Sequence, residues 1–179
     1  MAKNSRKQIE KDKRKIIGEL LKNSNKSINE IAKTCGFSRQ KVWRIIKDLE
    51  KNQTIWGYTA VVDEEKLDKK SYMALIKRNN EPVSKKLVDD IIGRKMEKKA
   101  NEIDVTITES LYTHGIYDYI LCFEARNIRD AKKFCESVNR QFKGFIKEIH
   151  LLDGMFSVKK FGIENPEVED LKNFFDLKE

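Results

Sequence analysis

The sequence predicts an α+β protein: a small helical bundle, then a domain of alternating strands and helices. Three observations predict it. Residues 27–50, SINEIAKTCGFSRQKVWRIIKDLE, read as two short helices around a tight turn. Residues 71–158 pass from extended to helical patterning and back in a regular order. The basic excess of the chain falls on the first segment alone.

Ser27 and Glu30 form S-x-x-E, a capping box at the start of the first helix. Ile28, Ile31 and Ala32 then recur at helical spacing and face a core. Cys35-Gly36 closes this helix, because glycine takes the left-handed turn that L-residues avoid. Phe37 plugs the corner and Ser38 caps the second helix. Within that helix Val42, Ile45, Ile46 and Leu49 make one apolar stripe. Arg39, Gln40, Trp43, Arg44 and Lys47 fall on the opposite face, and no carboxylate interrupts them before Asp48. A preceding helix over about residues 11–21, with Ile16, Ile17, Leu20 and Leu21 inward, supplies the third member of the bundle. This is the layout of a helix-turn-helix DNA reader. A solvated amphipathic helix would show the same two faces. The register of cap, turn and cap weighs against that, as does the cationic face.

The chain carries a net charge of +8. Residues 1–53 hold 15 basic and 6 acidic side chains, whereas the remainder is −1. A phosphate backbone is the obvious partner for so localised a field, and double-stranded DNA is the expected one. A membrane surface would attract the same charge. The basic segment, however, lacks a wide aromatic-rich apolar face, and no stretch is long and apolar enough to span a bilayer. MAKNSRKQIEKDKRK has no apolar centre, so it is not a secretory signal; it suits a frayed helix or a basic arm along phosphates. The three cysteines, Cys35, Cys122 and Cys135, form no C-x-x-C pair, and an odd number argues against a disulfide framework. With histidine only at 114 and 150 there is no zinc constellation, and no metal is expected. A reducing cytoplasm is the natural compartment. Lysine far outnumbers arginine and Gly (8) and Pro (2) are scarce, which fits either an A·T-rich genome or adaptation to heat.

After Leu49 the pattern changes. Residues 54–62, TIWGYTAVV, are β-branched and aromatic and read as an extended strand; residues 63–70 are a charged linker. SYMALIKR is a strand. Residues 83–99 read as one helix with Leu87, Ile91, Ile92 and Met96 inward. Two strands follow at 105–112 and 117–125, then a helix at 130–142 with Phe134, Val138 and Phe142 in line. A long strand over 145–158, bulged at Gly154, closes the domain. The order β-α-β-β-α-β is the split unit of ferredoxin-like domains. Helices cover one face of such a sheet, and a second subunit is the usual cover for the other. In the tail, Asn165-Pro166 reads as N-cap and N1 of a short helix with Val168, Leu171, Phe174 and Phe175 on its apolar side. Packing on the body or on a partner subunit is the favoured role for this helix, over docking another protein. The resulting domains are 1–53, the reader with its basic arm; 54–70, strand and linker; 71–161, the sheet domain; and 162–179, the helical tail.

The residues INEIAKTCGFSRQKVWRIIKDLEKNQTIWGYTAVVD, followed by THGIYDYIL, resemble the Lrp/AsnC family of bacterial and archaeal transcription regulators. The resemblance covers about residues 12–161, and an archaeal source is expected. It implies a winged-type helix-turn-helix bundle followed by a ferredoxin-like dimerisation domain. It also implies a homodimer through the C-terminal domain, with tetramers, octamers or hexadecamers beyond it. No cofactor is implied, but an amino acid or related metabolite is the candidate effector, and transcription machinery is a candidate partner. Gly115, Tyr117 and Asp118 fall in the family's G-x-x-D loop near the effector site. The chain departs from the family where Arg44-Ile45 replaces an Arg-Arg pair and Arg39 replaces a proline, and in its long 83–104 segment and its tail.

In the major groove Arg makes two hydrogen bonds to guanine and Gln two to adenine, so Arg39 and Gln40 read bases or, equally, touch only phosphate. Ser38 caps their helix. Lys41, Arg44 and Lys47 suit phosphate contacts. Trp43 lies on a thymine methyl or packs on the 55–58 strand, and packing is favoured because a fully exposed tryptophan is uncommon. Asp118 binds an effector ammonium or satisfies backbone donors in its own turn. His114 and His150 read as hydrogen-bonded structural residues. No catalytic residue is assigned. Two other functions compete: an architectural or recruiting DNA-binding protein, and a tetrapyrrole decarboxylase using Tyr112, His114 and Tyr117 on the same scaffold.

Overall fold

In the computed structural model residues 2–175 are described, with side chains from residue 6 onward. Met1, at the head of the expected basic arm, and residues 176–179, the end of the expected tail, lie outside the described residues. The chain divides into two compact units, residues 1–61 with 158–179, and residues 62–157.

The first unit begins with three helices: α1 (Ala2–Lys22), α2 (Ile28–Cys35) and α3 (Arg39–Lys51). The capping box forms as expected: the Ser27 hydroxyl accepts from the Glu30 amide at 3.2 Å, and the Glu30 carboxylate accepts from the Ser27 amide at 2.8 Å. Gly36 takes the left-handed conformation, φ 71°, and Phe37 turns back to bond the Ala32 carbonyl at 2.9 Å. Ile16, Ile31, Ala32, Cys35, Val42, Ile45 and Leu49 form the core, with Phe37 and Ile46 packed against it.

In α1 the helix starts at Ala2, so the basic segment takes the helical alternative, and one expectation fails. Leu21 is 72% exposed, and the inward stripe around Ile16 carries Asp12 and Glu19 instead, both buried. A further failure is the expected strand at 54–62, which has no ladder partner among the described residues. A strand needs a neighbouring strand for its backbone groups, and Trp56 here is 96% exposed.

The second unit carries β1 (Lys70–Arg78), α4 (Lys85–Ile92), α5 (Lys95–Asn101), β2 (Thr106–Tyr112), β3 (Tyr119–Ala125), α6 (Ile128–Gln141) and β4 (Ile146–Asp153). A 3-10 turn, Glu64–Leu67, precedes β1. The strands form one antiparallel sheet in the order β2-β3-β1-β4, as the β-α-β-β-α-β reading requires. The expected single helix over 83–99 is two helices, broken where Arg94 adopts φ 52°. Helical geometry explains the break. Leu87 and Met96 are nine residues apart, which places them about half a turn from each other on one straight helix. Breaking the helix lets both be buried, and Ile92, expected inward, is left 73% exposed.

One sheet face meets the helices. Tyr72, Ala74 and Ile76 of β1 and Leu121, Phe123 and Ala125 of β3 are buried against Phe134, Val138 and Phe142. Phe123 lies edge-on to Phe134 at 4.8 Å and stacked on Tyr72 at 5.8 Å. On the other face Met73 pairs with Cys122 and Leu152, and Leu75 with Ile120. On that face Met73 and Leu152 are exposed.

The last strand of the sheet ends at Asp153, not at residue 158, and Gly154 is not a bulge. Its amide bonds the Ser71 carbonyl at 2.9 Å, and a Cβ there would lie 2.8 Å from that oxygen. The ladder irregularities fall between Lys77 and Arg78 and between Ile107 and Glu109.

Beyond β4 an unexpected hairpin, β5 (Lys159–Lys160) and β6 (Ile163–Glu164), turns at Phe161 and Gly162 with φ 48° and 85°. Two positive φ angles in a two-residue loop make a primed turn, which matches the twist of paired strands. Asn165 caps as expected, but over a turn: its side chain accepts from the Glu167 amide at 2.8 Å. A 3-10 turn, Val168–Asp170, then leads into α7 (Leu171–Phe174).

Candidate nucleic-acid interface

The start of α3 organises the first candidate site. Ser38 is its N-cap, and the hydroxyl accepts from the Lys41 amide at 3.3 Å. The free amides of a helix N-terminus carry partial positive charge, which favours phosphate. Around this end Ser38, Arg39, Gln40, Lys41, Trp43 and Arg44 line an open groove of about 860 Å³. Arg39, Gln40 and Arg44 are exposed, and neither arginine makes an ion pair among the described residues.

Trp43 corrects the expectation that it packs on residues 55–58. It is 54% exposed and lies in the groove beside Arg44. The core stripe of α3 is filled by Val42, Ile45 and Leu49, and Trp43 is on the other side.

The lysines behave differently from the arginines. Lys41 reaches back to Asp12 of α1 at 2.6 Å and lies 4.1 Å from the centre of the Phe37 ring. Lys47 pairs with Glu50 at 2.7 Å. The hydrogen bond from Lys41 is the main reason the Asp12 carboxyl is held below its ordinary range, with Gln8 helping. Glu19 is lowered in the same direction by hydrogen bonds from Lys22 and then Lys26. Lys13 is raised by its hydrogen bond to Asp48 at 2.7 Å, which ties α1 to α3. The sequence alone assigned no role to Asp12 or Glu19. Asp12, Ile16 and Glu19 nevertheless share one helical stripe, and that spacing was the available signal.

The loop between β2 and β3 holds the second set of candidates. The Thr113 amide bonds the Asp118 carbonyl at 2.8 Å, and the Thr113 hydroxyl donates to the Tyr117 carbonyl at 2.7 Å. The Asp118 carboxylate accepts from the Arg78 amide of β1 at 2.8 Å. It therefore satisfies a backbone donor, though on a neighbouring strand and not in its own turn. Tyr117 lies edge-on to His150 at 5.6 Å, Gly115 is exposed, and so is His114.

Residues 13–55 match a family described as winged helix-turn-helix DNA-binding. Among solved structures, an AsnC family transcriptional regulator from Agrobacterium tumefaciens is similar over 83% of this chain and 92% of that chain, with 20% identity and a TM-score of 0.62. The leucine response regulatory protein of Mycobacterium tuberculosis is similar over 84% of this chain and 94% of its own, with 15% identity and a TM-score of 0.63. A feast or famine regulatory protein from M. tuberculosis, complexed with L-methionine, covers 82% and 92% at 16% identity and a TM-score of 0.63. The chain has the AsnC/Lrp fold. The resemblance read from the reader helices and the THGIYDYIL segment is thus borne out in architecture. No curated protein matches the sequence. Among the described residues no helix is long and apolar enough to cross a membrane. Within the AsnC/Lrp fold the candidate residues fall into two places, the N-terminal end of α3 and the 113–118 loop.

Proposed function

We propose that this chain is a DNA-binding transcription regulator of the Lrp/AsnC type that reads a specific sequence as a homodimer. One observation carries the proposal: Arg39, Gln40, Trp43 and Arg44 stand together and exposed at the capped start of α3, while the nearby acids pair with Lys13, Lys41 and Lys47 and not with the arginines. Arg39 and Gln40 take base edges, Trp43 lies on a thymine methyl, and Ser38, Lys41, Arg44 and Lys47 hold phosphates, the two lysines exchanging Asp12 and Glu50 for the DNA backbone. The dimer forms through the sheet face around Met73, Leu75 and Ile120, and larger assemblies build on it. Gly115, Tyr117 and Asp118 form the loop that senses an amino acid or small metabolite, with Asp118 as its frame. The protein works in the cytoplasm, where its DNA is.

A recruiting role is the second reading. Phe174 is 40% exposed and Phe175 61%, which leaves the tail with apolar surface for a partner in the transcription machinery. An enzyme is disfavoured. The Tyr112 hydroxyl is engaged by Arg78, His114 is exposed, and Tyr117 packs on His150, so the three groups do not converge.

The test is fluorescence-anisotropy binding to the duplex upstream of the protein's own gene, competed with a scrambled duplex at about 0.15 M salt. A preference of roughly a thousandfold supports a specific regulator. Equal competition supports the recruiting reading, and absence of binding to either duplex sinks the proposal. Met73→Glu in that sheet face is expected to give a monomer by sedimentation.

A further inference from the structure

Between the sheet and its helices the second unit holds a small cavity of about 50 Å³, open to solvent on one side. Ile76, Leu87, Ile91, Met96 and Val138 are among its apolar walls, and Arg78 and Tyr112 also line it. Tyr112 is 59% exposed and marks the side that reaches solvent. The Arg78 guanidinium is held at its tips: one terminal nitrogen donates to the Tyr112 hydroxyl and the other to the Glu81 carbonyl at 2.8 Å. The inner nitrogen, Nε, is buried and has no hydrogen-bond partner. The Arg78 amide is itself bonded to Asp118 at 2.8 Å, so the backbone below the side chain is fixed.

Two physical facts meet here. A cavity walled by hydrocarbon stays dry and accepts hydrocarbon, and this one has room for on the order of two or three carbon-sized groups. A guanidinium N–H left without an acceptor inside the protein favours a carboxylate over any neutral group. Among the described residues no carboxylate lines the cavity, so an α-ammonium would enter without a counter-charge. We propose that this cavity is a binding site for a short aliphatic carboxylate lacking an α-ammonium, with the hydrocarbon tail among Leu87, Ile91 and Met96 and the carboxylate on Arg78. A simple acid and a 2-oxo acid share this chemistry. The Tyr112 hydroxyl hydrogen, which Arg78 does not need, is available to an oxo group. The site is distinct from the DNA-reading face and stands whether or not that reading holds.

The test uses the full chain with 13C-methyl methionine. The chain has four methionines; among the described ones only Met96 lines the cavity, and Met73 on the opposite sheet face serves as control. The probes are 2-methylpropanoate, 3-methyl-2-oxobutanoate, 2-methylpropanamide and L-valine, each to about 20 mM. A saturable shift of the Met96 methyl is expected with at least one of the two acids, with Met73 unmoved. The amide and valine are expected to bind roughly tenfold or more weakly. Arg78→Met loses the same factor, and Ile91→Phe, at a half-buried wall position, fills the space and abolishes the shift while circular dichroism shows a cooperative melt. The tighter of the two acids identifies the source. No saturable shift with either acid overturns the proposal. Equal binding of the amide or valine, or unchanged affinity in Arg78→Met or Ile91→Phe, does so as well.

Discussion

Residues 1–53 hold six carboxylates, and each has a partner. Glu10 and Asp48 meet Lys13, Asp12 meets Lys41, Glu19 meets Lys22 and Lys26, Glu30 folds onto Ser27, and Glu50 meets Lys47 and Tyr58. In the sheet domain Lys95 with Asp90, Lys99 with Glu102, Arg126 with Asp130, and Lys77 with Glu148 between strands, neutralise each other and leave mixed charge behind. The two regions are similarly rich in charge, yet only one has a face of a single sign. What differs is where the acids go. In the first unit they tie lysines within and between helices, and Arg39 and Arg44 remain for a ligand.

The comparison can be broken most forcefully at the core. Phe134→Ala is expected to cost about 3–5 kcal/mol. Hydrogen exchange should then quicken in β1, β3 and α6 and stay unchanged in α1 to α3; acceleration in both units would show that they do not fold separately. Next in size is Arg39→Ala, expected to cost about 1–3 kcal/mol at a specific site and to relax specificity there. A uniform loss across all duplexes would assign Arg39 to phosphate. Ser27→Ala removes the cap of α2 and should cost about 1 kcal/mol in a denaturant melt.

The smallest effect sharpens the point about acids. Asp12 and Glu19 are held below the ordinary carboxylate range by their lysines. Their contribution to stability is therefore present above the unfolded carboxylate pKa of about 4 and is lost as pH falls through the lowered folded values. Acidification below about pH 4 should loosen α1 against α3, and Asp12→Asn should flatten that dependence in exchange rates.

The reader helices were legible nearly residue by residue because their signals are local. A cap at Ser27, a glycine at 36 and a cap at Ser38 each act within one turn of helix. The sheet order followed from alternation and element sequence alone. Three features were not legible, each because its cause lies far along the chain or outside it. Residues 54–62 have the composition of a strand, but composition does not supply the strand they would pair with. The break at Arg94 answers the sheet, which requires Leu87 and Met96 on the same side. Trp43 was assigned to packing from its general habit, whereas Val42 and Ile45 already filled the space behind it. At the candidate site the arginines were legible from position alone. The tie from Lys41 to Asp12 was not, because it depends on how α3 packs against α1, which no local pattern supplies.

Gly154 lies exposed in the loop after β4, the kind of position where sequences usually drift freely. Here the carbonyl of Ser71 stands where any side chain would begin. Every other residue must push the end of β4 away from the start of β1. In a library of all single substitutions, position 154 should be as intolerant as the core, although it is open to water.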